Sequence, residues 1–371
     1  MNDLIKRAEK VYNDNFDNST WFERAIFISW FCAKPTCKFC YMYTIKDNIK
    51  DPSKARRRIS SILAESLICK LMNWKIGFIS SGIFAFGTEE IKNILEKIHI
   101  VTGEKQWLNI GTLKEKQIET LMPHLEGVCG TIECINEELR NDIVPDKPID
   151  EIINMFKICD KHGIKKAITL IIGLGETIED FDNFKKFIKE NNIDRINYYR
   201  LVPHEGADLF PVGPTTEYYC KWIAKTRIAF PKINIVAGSW PDRVDEIDIL
   251  LKSGANNITK FPAIKLFNSE QSRKIEDKVK EGNRCFKSNM SSFPDIDIEK
   301  EIEMLPFDEE LKIHMLKKIN KYIKKMKKEK LKKKENYLFK KIIYSILIFQ
   351  KLKILLKIKF LKAKQIFFFY Y

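Results

Sequence analysis

Three cysteines fall within nine residues of this chain, as Cys32, Cys37 and Cys40 of the segment CAKPTCKFC. Thiolates are soft donors that suit iron–sulfur clusters and zinc. Three thiolates bind three irons of a [4Fe–4S] cube and leave the fourth iron open to another ligand, whereas a structural metal site normally has its coordination completed by the protein. The spacing therefore predicts a cluster at which chemistry takes place.

A structural zinc site and disulfide bonds are the two alternatives for these cysteines. A zinc site would need a further ligand at short spacing, usually a second C-x2-C or a histidine pair. The other six cysteines are scattered, and the five histidines form no such pair. Nine cysteines in 371 residues, with no stretch that reads as a signal peptide, are typical of a reduced, cytoplasmic protein. Both alternatives are less favoured than the cluster.

The elements that must position the cysteines form a regular alternation. The apolar run Ala25–Trp30 leads directly into the cysteine segment and is predicted to be a strand. Seven further strands are predicted, separated by helical patterns, at Lys75–Ser80, Gln106–Ile110, Gly127–Glu133, Ala167–Ile172, Arg195–Leu201, Ile233–Ala237 and Asn256–Thr259. Eight β/α units favour a (β/α)8 TIM-type barrel over a doubly wound sheet, and place the cysteines at the catalytic mouth of the barrel.

The predicted barrel spans residues 25–265, after an N-terminal helical lead-in of residues 1–24. Residues 266–311 are predicted to form helices that pack against it. The C-terminal tail, residues 312–371, contains 20 lysines and two glutamates. The net charge of +15 therefore belongs to this tail, and the rest of the chain is close to neutral.

The tail has several interpretations. Lys317 to Lys334 is a charge run typical of a solvated helix or of disorder. Beyond residue 340, lysine alternates with isoleucine, leucine and phenylalanine, which allows contact with RNA or a membrane surface. A low-complexity extension without a specific role is favoured over both. No apolar run in the chain approaches the ~20 residues of a membrane span.

The predicted strand, the three-cysteine loop and Phe39 immediately before the third cysteine resemble the radical S-adenosylmethionine (SAM) superfamily. The usual spacing there is C-x3-C-x2-C, and this chain has one extra residue in the first gap. The resemblance implies that Cys32, Cys37 and Cys40 bind a [4Fe–4S] cluster and that SAM chelates its open iron. It also implies a low-potential electron donor, reductive cleavage of SAM, and a 5′-deoxyadenosyl radical that takes a hydrogen atom from a small-molecule substrate.

Contacts to SAM are expected in the loops that follow later strands. Many superfamily members hold the methionine amino group with Gly-Gly-Glu after the second strand. This chain lacks that glutamate, and Ser81 and Gly82 are expected to substitute for it. Glu133 is expected to bind a ribose hydroxyl or an ammonium group, and Lys147 the SAM carboxylate. The Ile172-Gly173 segment matches the one that packs beside adenine. An ordinary loop position is the alternative for each of these residues.

Residues 25–265 resemble the biotin synthase branch, at Asn109–Leu113, Gly173–Thr177 and Gly254–Ile258. Biotin synthase also holds a second, sulfur-donating cluster. The matching positions fall near Ser80, Trp107, Ala167 and Asn234, which cannot replace its ligands, so sulfur insertion is not expected.

The stretched first cysteine gap is shared with a methanogen group (HmdB) that serves maturation of the iron-only hydrogenase and its iron-guanylylpyridinol cofactor. This resemblance implies a role in cofactor biosynthesis, with the substrate in the barrel lumen near Asn109, Tyr199, Arg200 and Asn234. Three alternatives remain open. They are a radical SAM enzyme for another cofactor precursor or an amino acid, one that modifies tRNA, and a non-enzymatic iron–sulfur or zinc protein.

Overall fold

The computed structural model describes residues 1–49, 51–205 and 213–327. Eight parallel strands follow one another around a closed barrel in chain order, and the last pairs with the first. They are β1 (Phe22–Phe27), β2 (Lys75–Ser80), β3 (Gln106–Asn109), β4 (Leu125–Glu133), β5 (Lys165–Ile172), β6 (Arg195–Arg200), β7 (Asn234–Gly238) and β8 (Asn257–Thr259). The (β/α)8 barrel predicted from the sequence is confirmed.

Helices connect successive strands and also flank the barrel at both ends of the chain. Their order is α1 (Asn2–Asn15), α2 (Ile59–Leu71), α3 (Thr88–Thr102), α4 (Glu115–Leu121), α5 (Glu137–Ile143), α6 (Ile149–His162), α7 (Phe181–Glu190), α8 (Thr216–Ala229), α9 (Ile247–Lys252), α10 (Glu270–Glu281), α11 (Ile298–Glu303) and α12 (residues 309–327). Helix ends follow signals in the sequence. Gly163, at φ +65°, ends α6, because glycine adopts the left-handed conformation without steric cost.

The alternation of side chains along each strand separates two regions of packing. On β5, Ile168, Leu170 and Ile172 are buried in the core between the strands and the helices. Ala167 and Thr169 lie on the opposite face, inside the barrel, where the Thr169 hydroxyl is 3.3 Å from the Cys129 sulfur. This two-residue period decides which residues of each strand can reach a ligand in the lumen.

The first strand begins at Phe22, three residues before the predicted start at Ala25, and ends at Phe27. The barrel therefore begins before the predicted domain boundary. The apolar pattern failed because the strand contains two ion-paired charges, the buried Glu23 and the half-buried Arg24. Glu23 pairs with Arg195 inside the barrel, and Arg24 pairs with a glutamate of α2 on the outside. Charged residues are rarely buried unless they are paired, and these are.

The end of the barrel opposite the cysteines is covered by segments that precede and follow it. Ser19–Thr20 pairs in parallel with Cys285–Phe286. The Phe22 backbone N–H donates to the Ser288 hydroxyl at 3.0 Å, and the Trp74 indole donates to a backbone carbonyl of the same segment. Access to the lumen is therefore left to the end that carries the cysteine loop.

Helix α12 corrects the prediction that the tail, from residue 312, is separate from the core. Met315, Ile319, Ile323 and Met326 recur at helical spacing and are buried against the rest of the protein. The many lysines hid this narrow apolar stripe. Residues 328–371, with the predicted RNA or membrane contacts, lie outside the described part of the chain. Among the described residues, no helix is both long and apolar enough to cross a membrane.

Candidate active site

The cysteine loop follows the carboxyl end of β1 and is held by its neighbours on two sides. The Ala33 backbone N–H donates to the Ile83 carbonyl at 3.0 Å, and the Lys38 N–H donates to the Ile143 carbonyl at 3.1 Å. These contacts tie the loop to the segment after β2 and to the end of α5. Cys37 is 6% exposed, while Cys32 and Cys40 are half-buried, and all three thiols are free of disulfides. The loop is therefore positioned by the barrel rather than by cross-links.

The three cysteine sulfurs are not gathered around one point as the ligands of a single metal ion would be. Among the described residues, Glu115, Glu119 and His162 on the outer helices form the one group of three or more His, Cys, Asp or Glu side chains whose ligand atoms all lie within 4.8 Å of one another. The three cysteines do not form such a group. At least one pair of the cysteine sulfurs is therefore more than 4.8 Å apart. Ligands of tetrahedral zinc, with Zn–S of roughly 2.3 Å, stand only about 3.8 Å apart.

Gly82, after β2, lies directly against the first cysteine. A Cβ atom at this position would lie 2.2 Å from the Phe31 carbonyl oxygen and 2.5 Å from Cys32 Cβ. Such distances are impossible without movement of the backbone. The close approach at Gly82 is thus made by the cysteine loop itself. The Ser81 hydroxyl is engaged locally, since it donates to the Gly82 carbonyl at 2.9 Å.

We expect Gly82→Ala to displace the cysteine loop, so that the variant takes up less than about half of the wild-type iron, because the clash is with backbone atoms that cannot rotate away. Gly87→Ala is the matched control, since a Cβ there would meet only the Glu90 carboxylate, at 3.5 Å. Iron and sulfide per chain after anaerobic reconstitution give the comparison. Equal iron content in the two variants would show that this packing does not position Cys32.

Glu133 and Lys147, predicted as separate SAM contacts, form one ion pair beside the cysteine loop. Lys147 Nζ is 2.9 Å from Glu133 Oε1 and 3.1 Å from the Thr131 hydroxyl. Glu133 ends β4 at a register shift and has φ +62°, an unusual value for a residue with a side chain. A bulge of this kind re-aims a side chain next to a functional site. The side chains of the pair are only 6% and 19% exposed.

This ion pair also sets the electrostatics of the cysteine loop. Burial raises the pKa of the Cys37 thiol to about 11, and the nearby Lys147 ammonium offsets part of this increase. Burial by itself lowers the pKa of Lys147, but Glu133 and Cys37 outweigh it, so the net pKa is raised. Lys147 is therefore positively charged at neutral pH. Its charge favours the thiolate form that binds iron.

The turn after β5 is folded by its own glutamate. Gly173 and Gly175 have φ of +106° and +118°, which glycine adopts most readily. The Glu176 carboxylate accepts hydrogen bonds from the N–H groups of Gly173, at 2.8 Å, and Leu174, at 2.9 Å. Leu174 then packs in the same apolar cluster as Cys37. The glutamate is thus committed to the shape of the turn.

Ile172, predicted to contact the cofactor, has its side chain in the core between strand and helices, so only its backbone remains for that role. The neighbouring Ile171 points to the opposite face and packs with Cys37. Phe39, before the third cysteine, packs against the same cluster. Successive side chains of a strand point to opposite faces, so Ile171 and Ile172 lie on different sides of β5.

Two of the four predicted pocket residues lie at the mouth of the lumen. Asn109 ends β3, paired in register with Ser80, and its carbonyl accepts from the Ser81 N–H at 3.1 Å. Tyr199 is on the lumen face of β6, half-buried, and burial raises its pKa. These placements are consistent with a substrate held between the two strands.

The prediction for Arg200 is wrong. Its side chain points away from the lumen, is 2% exposed, and places Nη2 2.5 Å from the Glu246 carboxylate. Because Tyr199 faces the lumen, the next residue along the strand must face the helices. Arg200 therefore ties β6 to the segment after β7 and does not reach a ligand in the barrel.

The prediction for Asn234 is also wrong. Asn234 is the first residue of β7 and pairs in register with Arg195, the first residue of β6. It therefore lies at the end of the barrel opposite the cysteines, about 13 Å along the strand from Gly238 at roughly 3.3 Å per residue. Ligands of such barrels bind at the carboxyl ends of the strands.

The lower part of the lumen is filled by a polar network and two aromatic rings. Glu23 pairs with Arg195 and accepts from the Asn257 side chain at 2.6 Å. The Arg195 guanidinium stacks on the rings of Phe78 and Trp107, with centroid distances of 5.0 and 5.2 Å. Each charge is thus paired and shielded from water. The space for a substrate is confined to the upper part of the barrel, below the cysteines.

Comparison with known proteins decides between the chemistries that this geometry permits. The model of the radical SAM superfamily matches residues 27–188, which start at the last residue of β1 and include the cysteine loop and the turn after β5. The chain belongs to the radical SAM superfamily. The match covers the three cysteines, so the superfamily's [4Fe–4S] cluster and SAM are the cofactors of this protein.

Individual relatives show which proteins this radical SAM chain is similar to. It is 38% identical over 311 residues to an uncharacterized protein of Methanocaldococcus jannaschii, covering 82% of this chain and 85% of the relative. It is 26% identical over 183 residues to the biotin synthase of Methanococcus vannielii, covering 49% of this chain and 55% of the synthase. Methylornithine synthase superposes with a TM-score of 0.59 at 18% identity, covering 69% of this chain and 76% of that protein, which shows a shared fold.

The residues present fit both radical SAM cofactors. Cys32, Cys37 and Cys40 supply three soft donors at a spacing wider than a single ion requires. When bound, the cluster and SAM supply a 5′-deoxyadenosyl radical. The chain itself holds the cysteine loop, supplies the Glu133–Lys147 pair beside it, and walls the site from water with the apolar cluster around Cys37. Direct contacts from Ser81, Gly82, Glu133, Lys147 and Gly173 to SAM stay predictions.

Sequence reasoning missed Lys260, which directly follows β8 at the mouth of the barrel. Its ammonium lies 4.1 Å from the centroid of the Tyr199 ring. The sequence could have indicated Lys260 by its position alone, because residues just past the carboxyl end of a barrel strand face the active site. A lone lysine in a loop carries no motif, so the position was its one distinguishing feature.

Proposed function

We propose that this radical SAM enzyme acts on a small-molecule precursor in cofactor biosynthesis, and that pyridinol precursors of the iron-guanylylpyridinol cofactor of iron-only hydrogenase are its substrate class. The closed barrel is the observation that supports a small-molecule substrate. The Glu23–Arg195 ion pair fills its lower end, and its open end lies under the cysteine loop. A chamber of this kind admits a small molecule and excludes a folded macromolecule.

The pathway part of the proposal is supported by the cysteine spacing and by the relatives. The additional residue between Cys32 and Cys37 resembles the stretched gap of the methanogen group that serves this hydrogenase. The relative with 38% identity comes from Methanocaldococcus jannaschii. Both features favour this substrate class over an amino acid.

The proposed reaction is not sulfur insertion. A sulfur-donating cluster inside the barrel would require several thiolates in the lumen. All nine cysteines lie in the described residues, and among them Cys129 is the one on the lumen face of a barrel strand. The Phe78 and Trp107 rings and the Arg195 side chain occupy the remaining space at that level. This arrangement supports a reaction other than sulfur insertion.

Transfer of deuterium from a labelled substrate tests the proposal. The reconstituted enzyme is incubated anaerobically with SAM, dithionite and a pyridinol precursor deuterated at each exchange-stable position in turn. We expect deuterium to appear in 5′-deoxyadenosine from one position, together with faster SAM cleavage than without the pyridinol. Deuterated amino acids form the comparison arm. Transfer from an amino acid and none from any pyridinol would contradict the pathway while leaving the radical chemistry intact.

A further inference from the structure

The backbone at Lys260 is unusual. Lys260 has φ +75°, in the left-handed region that residues with side chains rarely adopt and that glycine and asparagine favour. Asn257–Thr259 is the last and shortest strand of the barrel, and Lys260 is the first residue past its carboxyl end. Backbone strain of this kind persists where the surrounding structure demands one direction for a side chain. Here that direction brings the lysine ammonium to Tyr199.

Three side chains converge on a glycine at this point. A Cβ atom on Gly238, at the end of β7, would lie 2.9 Å from Tyr199 Cδ1, 3.1 Å from Lys260 Cγ and 3.2 Å from Trp240 Cζ3. The missing side chain allows a tyrosine, a lysine and a tryptophan to meet at the carboxyl ends of β6, β7 and β8. The result is a close-packed group of two aromatic rings and one lysine side chain at the mouth of the barrel.

Among the described residues, Lys260 differs from Lys147, Arg195 and Arg200 in having no carboxylate within salt-bridge distance. Lys147 pairs with Glu133, and Arg195 and Arg200 are each paired with a buried glutamate. In the described part of the chain, no carboxylate lies within 4.0 Å of the Lys260 ammonium. A half-buried charge without a partner is costly unless a ligand supplies the opposite charge.

The neighbouring histidine does not compensate for this charge. Burial lowers the pKa of His204, and the proximity of Lys260 lowers it further. His204 is therefore neutral at neutral pH and adds no counter-charge. Burial also lowers the pKa of Lys260, while Glu133 and Cys40 act in the opposite direction. A bound anion beside the Lys260 ammonium would thus lower the free energy of the protein.

We propose that Lys260, held over the Tyr199 ring at the mouth of the barrel, forms a subsite for an anionic group of the substrate, a carboxylate or a phosphate. The inference rests on the proposed function and deepens it, since it requires the substrate to carry such a group at the end that lies against β6 and β8. The Glu133–Lys147 pair stays available for the cofactor side of the site.

Anion binding by the reconstituted, SAM-loaded protein tests the subsite. Calorimetric titration with inorganic phosphate and, separately, with succinate uses two probes that share only the anionic group. We expect at least one probe to bind the wild type, and the tighter of the two identifies the class of anion. Lys260→Met should weaken binding by about tenfold or more, as expected for loss of a charge-assisted hydrogen bond. Lys260→Arg keeps the charge and should bind within about threefold of the wild type.

Lys265→Met is the matched control, because Lys265 is exposed, follows the same strand, and lines a different groove on the outside of the barrel. It removes the same charge and should bind both probes like the wild type. The inference is overturned if neither probe binds the wild type, or if Lys260→Met and Lys265→Met bind equally well.

The same preparation separates this inference from the proposed function. Release of 5′-deoxyadenosine by the wild type reports on radical chemistry, whereas the titration reports on the anion alone. Loss of anion binding in Lys260→Met supports the subsite even where the pyridinols transfer no deuterium. Equal anion binding by Lys260→Met and Lys265→Met would contradict the proposed subsite without affecting the radical SAM assignment.

Discussion

Replacing Cys37 by alanine is expected to abolish cluster binding, so that the reconstituted variant holds almost no iron or sulfide and releases no 5′-deoxyadenosine. Cys37 is the most buried of the three cysteines, and two thiolates cannot hold the cluster in place. Alanine is used rather than serine because a serine hydroxyl would be left without a hydrogen-bond partner in the apolar cluster. The alanine variant is therefore expected to fold. Iron, sulfide and the visible absorption of the reconstituted protein measure the effect.

Cys285→Ala is the control for the cysteine variant. Cys285 is exposed, on the short strand that covers the opposite end of the barrel, and its loss should leave iron content and SAM cleavage unchanged. A Cys37→Ala protein that still bound the full cluster would show that other residues supply the ligands. A Cys285→Ala protein that lost iron would point to general damage during reconstitution.

Breaking the Glu133–Lys147 pair is expected to have the second largest effect. Glu133→Gln leaves the Lys147 ammonium buried without its carboxylate, and Lys147→Met leaves the carboxylate without its cation. Each single change should lower the free energy of unfolding by about 3 kcal/mol, because an unpaired buried charge retains its desolvation cost. Urea unfolding of the protein before cluster assembly measures these effects.

The double variant, Glu133→Gln with Lys147→Met, should recover most of this stability while remaining deficient in SAM cleavage. The matched control is the exposed pair of Lys165 and Glu126, whose side chains are 56% and 34% exposed. Glu126→Gln should cost at most about 1 kcal/mol, since solvent screens such a pair. Equal costs for Glu126→Gln and Glu133→Gln would show that the buried pair has no special energetic role.

The barrel was predictable because its signals are periodic and repeated. Each β/α unit combines a short apolar run with a longer amphipathic one, and helix-ending glycines such as Gly163 mark the boundaries. The exception is β1, where the ion-paired charges of Glu23 and Arg24 interrupt the apolar run. Their partners, Arg195 and a glutamate of α2, are distant in sequence, so the local pattern contained no sign that these charges are neutralised.

The candidate site was predictable only where a motif or a strand end marked it. The three cysteines and the mouth position of Tyr199 followed from spacing and strand order. The prediction for Arg200 ignored which face of β6 the residue lies on. The prediction for Asn234 ignored which end of β7 it occupies. Lys260 was missed because the features that single it out are its backbone conformation and its lack of a counter-charge, which only the folded chain displays.

The central claim, a [4Fe–4S] cluster that cleaves SAM in this barrel, is tested most directly by electron paramagnetic resonance of the reduced, reconstituted protein. Spectra are recorded with and without SAM, and 5′-deoxyadenosine is assayed in the same samples. The structure and the superfamily predict a [4Fe–4S]+ signal that changes when SAM is added, together with release of 5′-deoxyadenosine. A protein that instead binds a single zinc ion, assembles no cluster and releases no 5′-deoxyadenosine would contradict the claim.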